Sequence, residues 1–175
     1  DGLSAPAFCG PDGELCRAAA SEVWTETQEA AARWNDETDA CEFTSFVAYE
    51  YTATPDLTKI HRNVIFRSDE VPALPISYTD EPNVIEMWKK LRAQCNDAGT
   101  GCDALAIPHN SNLSNGHLFT IEYPEGTSRS EQARLAALRA RMEPVVEMMQ
   151  IKGECEWNAK RWRVLGADED CGFEK

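Results

Sequence analysis

The chain has 175 residues, of which 42% are apolar, and its 17 basic and 30 acidic side chains give a net charge of −13. This size and apolar content suffice for a domain with a hydrophobic core. The acidic excess argues against nucleic acid as a partner, because phosphate contacts need clustered lysine and arginine. The sequence has no apolar run of about 18 residues, so it predicts no membrane span.

Hydrophobic spacing and capping residues predict three helices. The first begins at Gly13. Pro82 and Glu86 mark Asn83 as the start of the second helix, and Ser128 begins the third with a glutamate three residues later. The predicted apolar faces are Leu15, Ala19, Val23, Thr27, Ala30, Ala31 and Trp34 in the first helix, Val84, Ile85, Trp88, Leu91 and Cys95 in the second, and Leu135, Leu138 and Met142 in the third.

Aromatic and β-branched residues predict strands at 41–52 and 61–68, and short apolar runs predict buried strands at 103–108 and 144–153. Two prolines make 71–77 an extended loop, and the C-terminal tail is expected to be irregular. Strands alternating with helices indicate an α/β fold with parallel, right-handed connections.

Seven cysteines are present, and their spacing suggests local loops. Cys9 and Cys16 flank one turn, Cys95 and Cys102 flank another, and Cys155 and Cys171 are placed to close a C-terminal loop. Disulfides at these pairs would indicate a periplasmic or secreted protein. The alternative is buried free thiols. Cys41 is left over, either as a buried thiol or as a partner of something outside the chain.

Several polar residues stand at predicted strand ends, where ligands meet the sheet in α/β folds. Glu50 ends the run FTSFVAYE, His109 follows ALAIP and Lys152 follows VVEMMQI, whereas His61 opens its strand and has to reach the site from a loop. Imidazoles and carboxylates are standard ligands of zinc, manganese and iron, so Glu50, His61 and His109 form a candidate metal set. The competing interpretation is that each is a hydrogen-bonded structural residue.

Three further residues bear on the candidate site. Arg62 has the geometry to bind a phosphate or sulfate oxygen pair, although a surface salt bridge is the simpler interpretation. Asn110 suits a tight turn or an orienting hydrogen bond beside His109. His117 is expected on the surface.

The strings FTSFVAYEYT, HRNVIFR, VPALPIS, CDALAIPHNSNLSNG and RARMEPVVEMMQIKGECE closely resemble the bacterial family catalogued as domain of unknown function 3604. That family looks related to the PHP superfamily, named for polymerase and histidinol phosphatase domains. The resemblance implies a distorted β/α barrel that holds two or three divalent metal ions. Glu50 is similar to the strand-end glutamate ligand of PHP proteins, His109 to a histidine that ends a later strand, and His61 to an intervening histidine ligand.

The chain departs from the PHP pattern because it contains no His-x-His and no Asp-x-His. The resemblance implies that these ligands lie before Asp1 and after Lys175. We therefore expect residues 1–175 to form a single domain that is the middle part of a larger metallohydrolase-like domain. The remainder of the same polypeptide is then an expected partner.

The expected function is hydrolysis of a phosphoester, or of a similar anionic ester, by water that zinc, manganese or iron activates. The substrate would be a small anion clamped by Arg62 or Lys152, with Asn110 orienting a ligand or the substrate. The rival interpretation is a non-catalytic exported binding domain, or an inactive fragment, whose histidines are structural.

Overall fold

A computed structural model describes residues 6–55, 58–111, 114, 117–119 and 123–148. These residues form the helices and strands α1 (Glu14–Trp34), β1 (Ala48–Ala53), β2 (Ile60–Phe66), α2 (Val84–Gln94), β3 (Ala104–Pro108) and α3 (Arg129–Met142), with two single-turn 3₁₀ helices, Ala7–Cys9 and Pro11–Gly13, before α1. The mixture of helices and strands confirms the α/β class. The 71–77 loop has neither helix nor strand, as expected.

The strands form one sheet in the order β1-β2-β3, and its hydrogen bonds are antiparallel. The His109 N–H donates to the His61 carbonyl at 3.1 Å, and the Arg67 N–H donates to the Asp103 carbonyl at 2.9 Å. Position 61 therefore faces 109 while 67 faces 103, so the two strands run in opposite directions. The prediction of parallel connections is wrong here, and three strands do not make a closed barrel in the described part of the chain.

The link between β1 and β2 explains the antiparallel arrangement of those two strands. Only residues 54–59 separate them. A parallel pair needs a crossover of about a dozen residues or more, whereas an antiparallel pair closes over a short loop. Beyond the strand ends the pairing continues, because the Phe66 N–H donates to the Val47 carbonyl at 3.0 Å.

One face of this sheet is buried and the other is half-exposed, as alternating side chains require. The buried side chains are Tyr51 and Ala53 of β1, Arg62, Val64 and Phe66 of β2, and Ala104, Ala106 and Pro108 of β3. Residues between them are half-buried or exposed. The run at 103–108 is therefore a one-sided strand rather than a strand buried on both faces.

The described residues fall into two compact units. The first holds the residues up to Tyr49 together with Val64–Ala104. Its core includes Trp24, whose indole ring lies 5.9 Å from the Phe66 ring and whose Nε1–H donates to the Pro72 carbonyl at 2.9 Å.

Helix α1 confirms the first predicted helix, but of its predicted apolar face only Ala31 is buried. Trp24 and Ala31 are buried, whereas Leu15 and Trp34, which the helical spacing assigned to the core, are exposed. A helix that buries a narrow stripe leaves the flanking apolar positions in solvent. Helix α2 begins as predicted, because the Asn83 Oδ1 accepts hydrogen bonds from the backbone N–H groups of Ile85 and Glu86.

The second unit holds Glu50–Asn63 and the described residues from Leu105 onward. Helix α3 begins at the predicted cap, since the Ser128 Oγ accepts a hydrogen bond from the Glu131 N–H at 3.2 Å. Its predicted apolar face is confirmed, with Leu135, Leu138 and Met142 buried.

The predicted buried strand at 144–153 is wrong for its described part. Residues 144–148 have no strand structure, and Val145, Val146 and Met148 are exposed. The apolar run therefore does not indicate burial here. Residues 149–153 and the tail predicted to be irregular lie outside the described residues.

Two of the three expected disulfides are present, Cys9–Cys16 and Cys95–Cys102. Cys41 is a free thiol that is exposed, so the expectation of a buried thiol is wrong. Cys155 and Cys171 lie outside the described residues. The two disulfides are compatible with an extracellular or periplasmic location. No helix in the described ranges has the length and apolar character of a membrane span.

Candidate functional site

The antiparallel order brings three predicted site residues to one edge of the second unit. Glu50 lies within β1, His61 is at the start of β2, and His109 directly follows β3. In an antiparallel sheet the start of β2 lies beside the later part of β1 and the end of β3. His61 therefore joins the other two from its strand, and the prediction that it comes from a loop is wrong. Glu50 is inside its strand rather than at its end.

The Glu50 carboxylate lies between the two imidazoles. Its Oε1 is 3.3 Å from His61 Nδ1, and its Oε2 is 3.8 Å from His109 Nε2. The imidazole rings are nearly perpendicular, with centroids 5.8 Å apart. The Glu50 side chain is 45% exposed while those of His61 and His109 are 13% and 17% exposed. The carboxylate is thus open to solvent on one side and flanked by two largely buried rings.

Neighbouring side chains fix the orientation of two of these groups. The Thr52 hydroxyl, two residues along β1, donates to Glu50 Oε1 at 2.8 Å. The Glu147 carboxylate contacts the other ring nitrogen of His109, with Oε2 at 2.8 Å from Nδ1. The same Oε2 accepts the backbone N–H of Asn110 at 3.1 Å.

The donor atoms are of the types that bind a divalent cation, and the two Glu50–histidine separations suit one. Two ligand atoms of a tetrahedral zinc ion lie roughly 3.4 Å apart when each bond is about 2.1 Å, which is close to both measured Glu50–histidine separations. His109 Nε2 is buried and has no hydrogen-bond partner among the described residues. Within those residues, no three His, Cys, Asp or Glu side chains are already grouped about one ion position.

Arg62 lies on the opposite face of the sheet from His61, because adjacent residues of a strand alternate. Its side chain is 1% exposed, its Nε is 2.5 Å from Glu143 Oε1, and its Nη2 donates to the Leu118 carbonyl at 3.3 Å. The salt bridge considered as the simpler interpretation is present, but it is buried rather than on the surface. The Arg62 side chain therefore lies on the face of the sheet opposite Glu50, His61 and His109.

The remaining candidates have different outcomes. Asn110 is buried beside His109 and contributes its backbone N–H to Glu147. His117 is exposed, as expected. Lys152 lies outside the described residues.

Glu147 and Thr52 are the site neighbours that sequence reasoning missed. Glu147 sits in the run PVVEMMQIKG, where a charged residue within an apolar segment was the available signal. Thr52 follows Glu50 by two positions and therefore shares its face of the strand. Strand alternation was the signal for Thr52, whereas an acid in an apolar run marks Glu147 as unusual without indicating its partner.

The comparison with protein families gives one result for this chain. A family model described as "Protein of unknown function (DUF3604)" matches residues 4–175. No curated protein and no solved structure matches the chain.

Proposed function

We propose that this chain, which belongs to the DUF3604 family, contributes metal ligands to a hydrolase of PHP type that acts on a phosphoester or a similar anionic ester. The observation that carries the proposal is the position of Glu50 between His61 and His109, at 3.3 and 3.8 Å. A carboxylate between two imidazoles is a ligand set for zinc, manganese or iron.

Glu50, His61 and His109 would hold the cation. When bound, the divalent ion would lower the pKa of its water to about 7 and would polarise the ester that is attacked. Glu50 would bind the cation through its carboxylate, whose exposed side leaves room for the ester to approach. The Thr52 hydroxyl would keep that carboxylate oriented through its hydrogen bond to Oε1.

The basic residues divide between two roles in this proposal. Lys152 is assigned to the anionic oxygens of the substrate, since it follows the Glu147 segment in sequence. Arg62 is assigned to the packing of the second unit, because its guanidinium is buried against Glu143. The His-x-His and Asp-x-His motifs that supply ligands in PHP proteins are absent from this sequence, so the proposal assigns to this chain only Glu50, His61 and His109 as ligands.

The test is the metal content of purified full-length protein, measured by inductively coupled plasma mass spectrometry. We expect bound zinc, manganese or iron in the wild type. His109→Ala should weaken metal binding by about 10- to 100-fold or more, because loss of a residue that only hydrogen-bonds to a metal ligand already has that effect. His117→Ala is the matched control, because this histidine is exposed, and it should keep the wild-type content. Equal metal in wild type and His109→Ala would remove His109 from the ligand set.

Activity is tested separately with aryl phosphate and aryl sulfate esters, before and after removal of metal by a chelator. Chelator-sensitive hydrolysis that His109→Ala abolishes would support the proposal. The second candidate function is a non-catalytic exported binding domain, which is favoured by the two disulfides. A metal-free wild type that hydrolyses neither ester would support that alternative.

A further inference from the structure

Glu147 is held against the end of β3 by its backbone and its side chain together. Its N–H donates to the Pro108 carbonyl at 3.0 Å. Its Oε2 accepts the Asn110 N–H at 3.1 Å and lies 2.8 Å from His109 Nδ1. Three consecutive residues, 108–110, are therefore tied to this one glutamate, whose side chain is 28% exposed.

These contacts determine which nitrogen of His109 carries the proton. An ionised carboxylate is only an acceptor, and the Asn110 N–H is only a donor, so the shared oxygen has to accept from both of its neighbours. Nδ1 is therefore the protonated nitrogen. A neutral imidazole has one N–H, so Nε2 carries the lone pair. That nitrogen points toward Glu50 Oε2 at 3.8 Å, beyond hydrogen-bond distance.

We infer that Glu147 is a positioning residue that selects the Nδ1–H tautomer of His109 and directs the Nε2 lone pair toward the cation. The inference rests on the proposed function and deepens it, because it names the residue that prepares one ligand. Histidines that bind metals usually donate their second N–H to a carboxylate or carbonyl in this way.

The first measurement uses the metal-free full-length chain with ¹⁵N-labelled histidine, and records the ring nitrogen shifts and couplings by long-range ¹H–¹⁵N spectroscopy. The His109 signals are assigned from the His109→Ala spectrum. We expect the Nδ1–H tautomer in the wild type and a shift toward Nε2–H in Glu147→Leu, which keeps the volume and removes the acceptor. Glu147→Gln should retain Nδ1–H, because its side-chain oxygen still accepts from the Asn110 N–H.

The second measurement is zinc affinity by calorimetry with zinc ion alone. We expect Glu147→Leu to bind zinc about 10- to 100-fold more weakly than the wild type, and Glu147→Gln to recover much of that loss. Glu125→Leu is the matched control, since Glu125 is exposed in the turn before α3, and its affinity should equal that of the wild type.

The two measurements separate the two proposals. A wild type that binds no zinc contradicts the proposed function, while the spectrum of the metal-free protein still decides the role of Glu147. An Nε2–H tautomer in the wild type, or a Glu147→Leu spectrum identical to it, overturns the positioning role. If Glu147→Leu does not fold, the wild-type tautomer and its retention in Glu147→Gln decide the question.

Discussion

Arg62 and Glu143 form an ion pair that is almost completely removed from water. Their side chains are 1% and 2% exposed, with Nε and Oε1 at 2.5 Å. Arg139 Nε lies 3.5 Å from the other oxygen of Glu143. A buried pair of this kind adds little net stability, but removal of one partner leaves the other charge without compensation. Arg62 is therefore needed for the stability of the second unit, independently of any chemistry on the opposite face of the sheet.

We predict that Arg62→Met lowers the free energy of unfolding by about 3 kcal/mol, the low end of the range for a broken buried pair, because Arg139 still faces Glu143. Denaturant unfolding followed by circular dichroism measures the change. The double variant Arg62→Met, Glu143→Leu should recover most of the loss, since it removes both charges.

The matched control for this pair is Arg134→Met. Arg134 pairs with Glu131 on the surface of α3, where it is 74% exposed, and surface pairs contribute about 0–1 kcal/mol. If Arg62→Met were no more destabilising than Arg134→Met, the buried pair would have no special role in stability.

At the scale of elements, two of the helix starts were predicted correctly from the sequence, whereas the strand directions were not. Asn83 and Ser128 cap their helices through bonds to residues two or three positions away, so the signal is local. Strand direction depends on partners distant in sequence, and alternation of helices with strands suggested the wrong one. The length of the 54–59 link was the overlooked signal, because it excludes a parallel crossover.

Helix α2 depends on its cap, and we predict that Asn83→Ala destabilises the protein by about 1 kcal/mol. Two backbone N–H groups, those of Ile85 and Glu86, lose their acceptor in this variant. Thermal unfolding followed by far-ultraviolet circular dichroism gives the measurement. Asn83→Asp retains an acceptor and should stay within a few tenths of a kcal/mol of the wild type. An alanine variant as stable as the aspartate variant would contradict the capping role.

At the scale of the whole molecule, the strand-end positions and the family resemblance predicted that Glu50, His61 and His109 meet, and the structure brings them together. Their role as metal ligands stays a prediction. The partners that orient them were not predictable in the same way. The contact of Glu147 with His109 joins residues 38 positions apart, and no local pattern announces such a pairing.

The two disulfides each link cysteines seven positions apart. A loop this short gives about 2–3 kcal/mol from restriction of the unfolded chain. We predict that the Cys95→Ala, Cys102→Ala variant loses about that much stability, measured by denaturant unfolding under oxidising conditions. Cys41→Ser, which alters the free and exposed thiol, should leave stability unchanged, and an equal loss in both variants would contradict the assignment.

The register between β2 and β3 also limits how relatives of this chain can change in length. Because strand side chains alternate with a period of two, inserting one residue within β3 would turn His109 from the Glu50 face to the Arg62 face. An insertion of two residues would restore the face but displace the imidazole along the sheet. Extra residues in the connections at 54–59 and 67–103 would leave the pairing of positions 61 and 109 intact. Length variation compatible with this site is therefore confined to the connections.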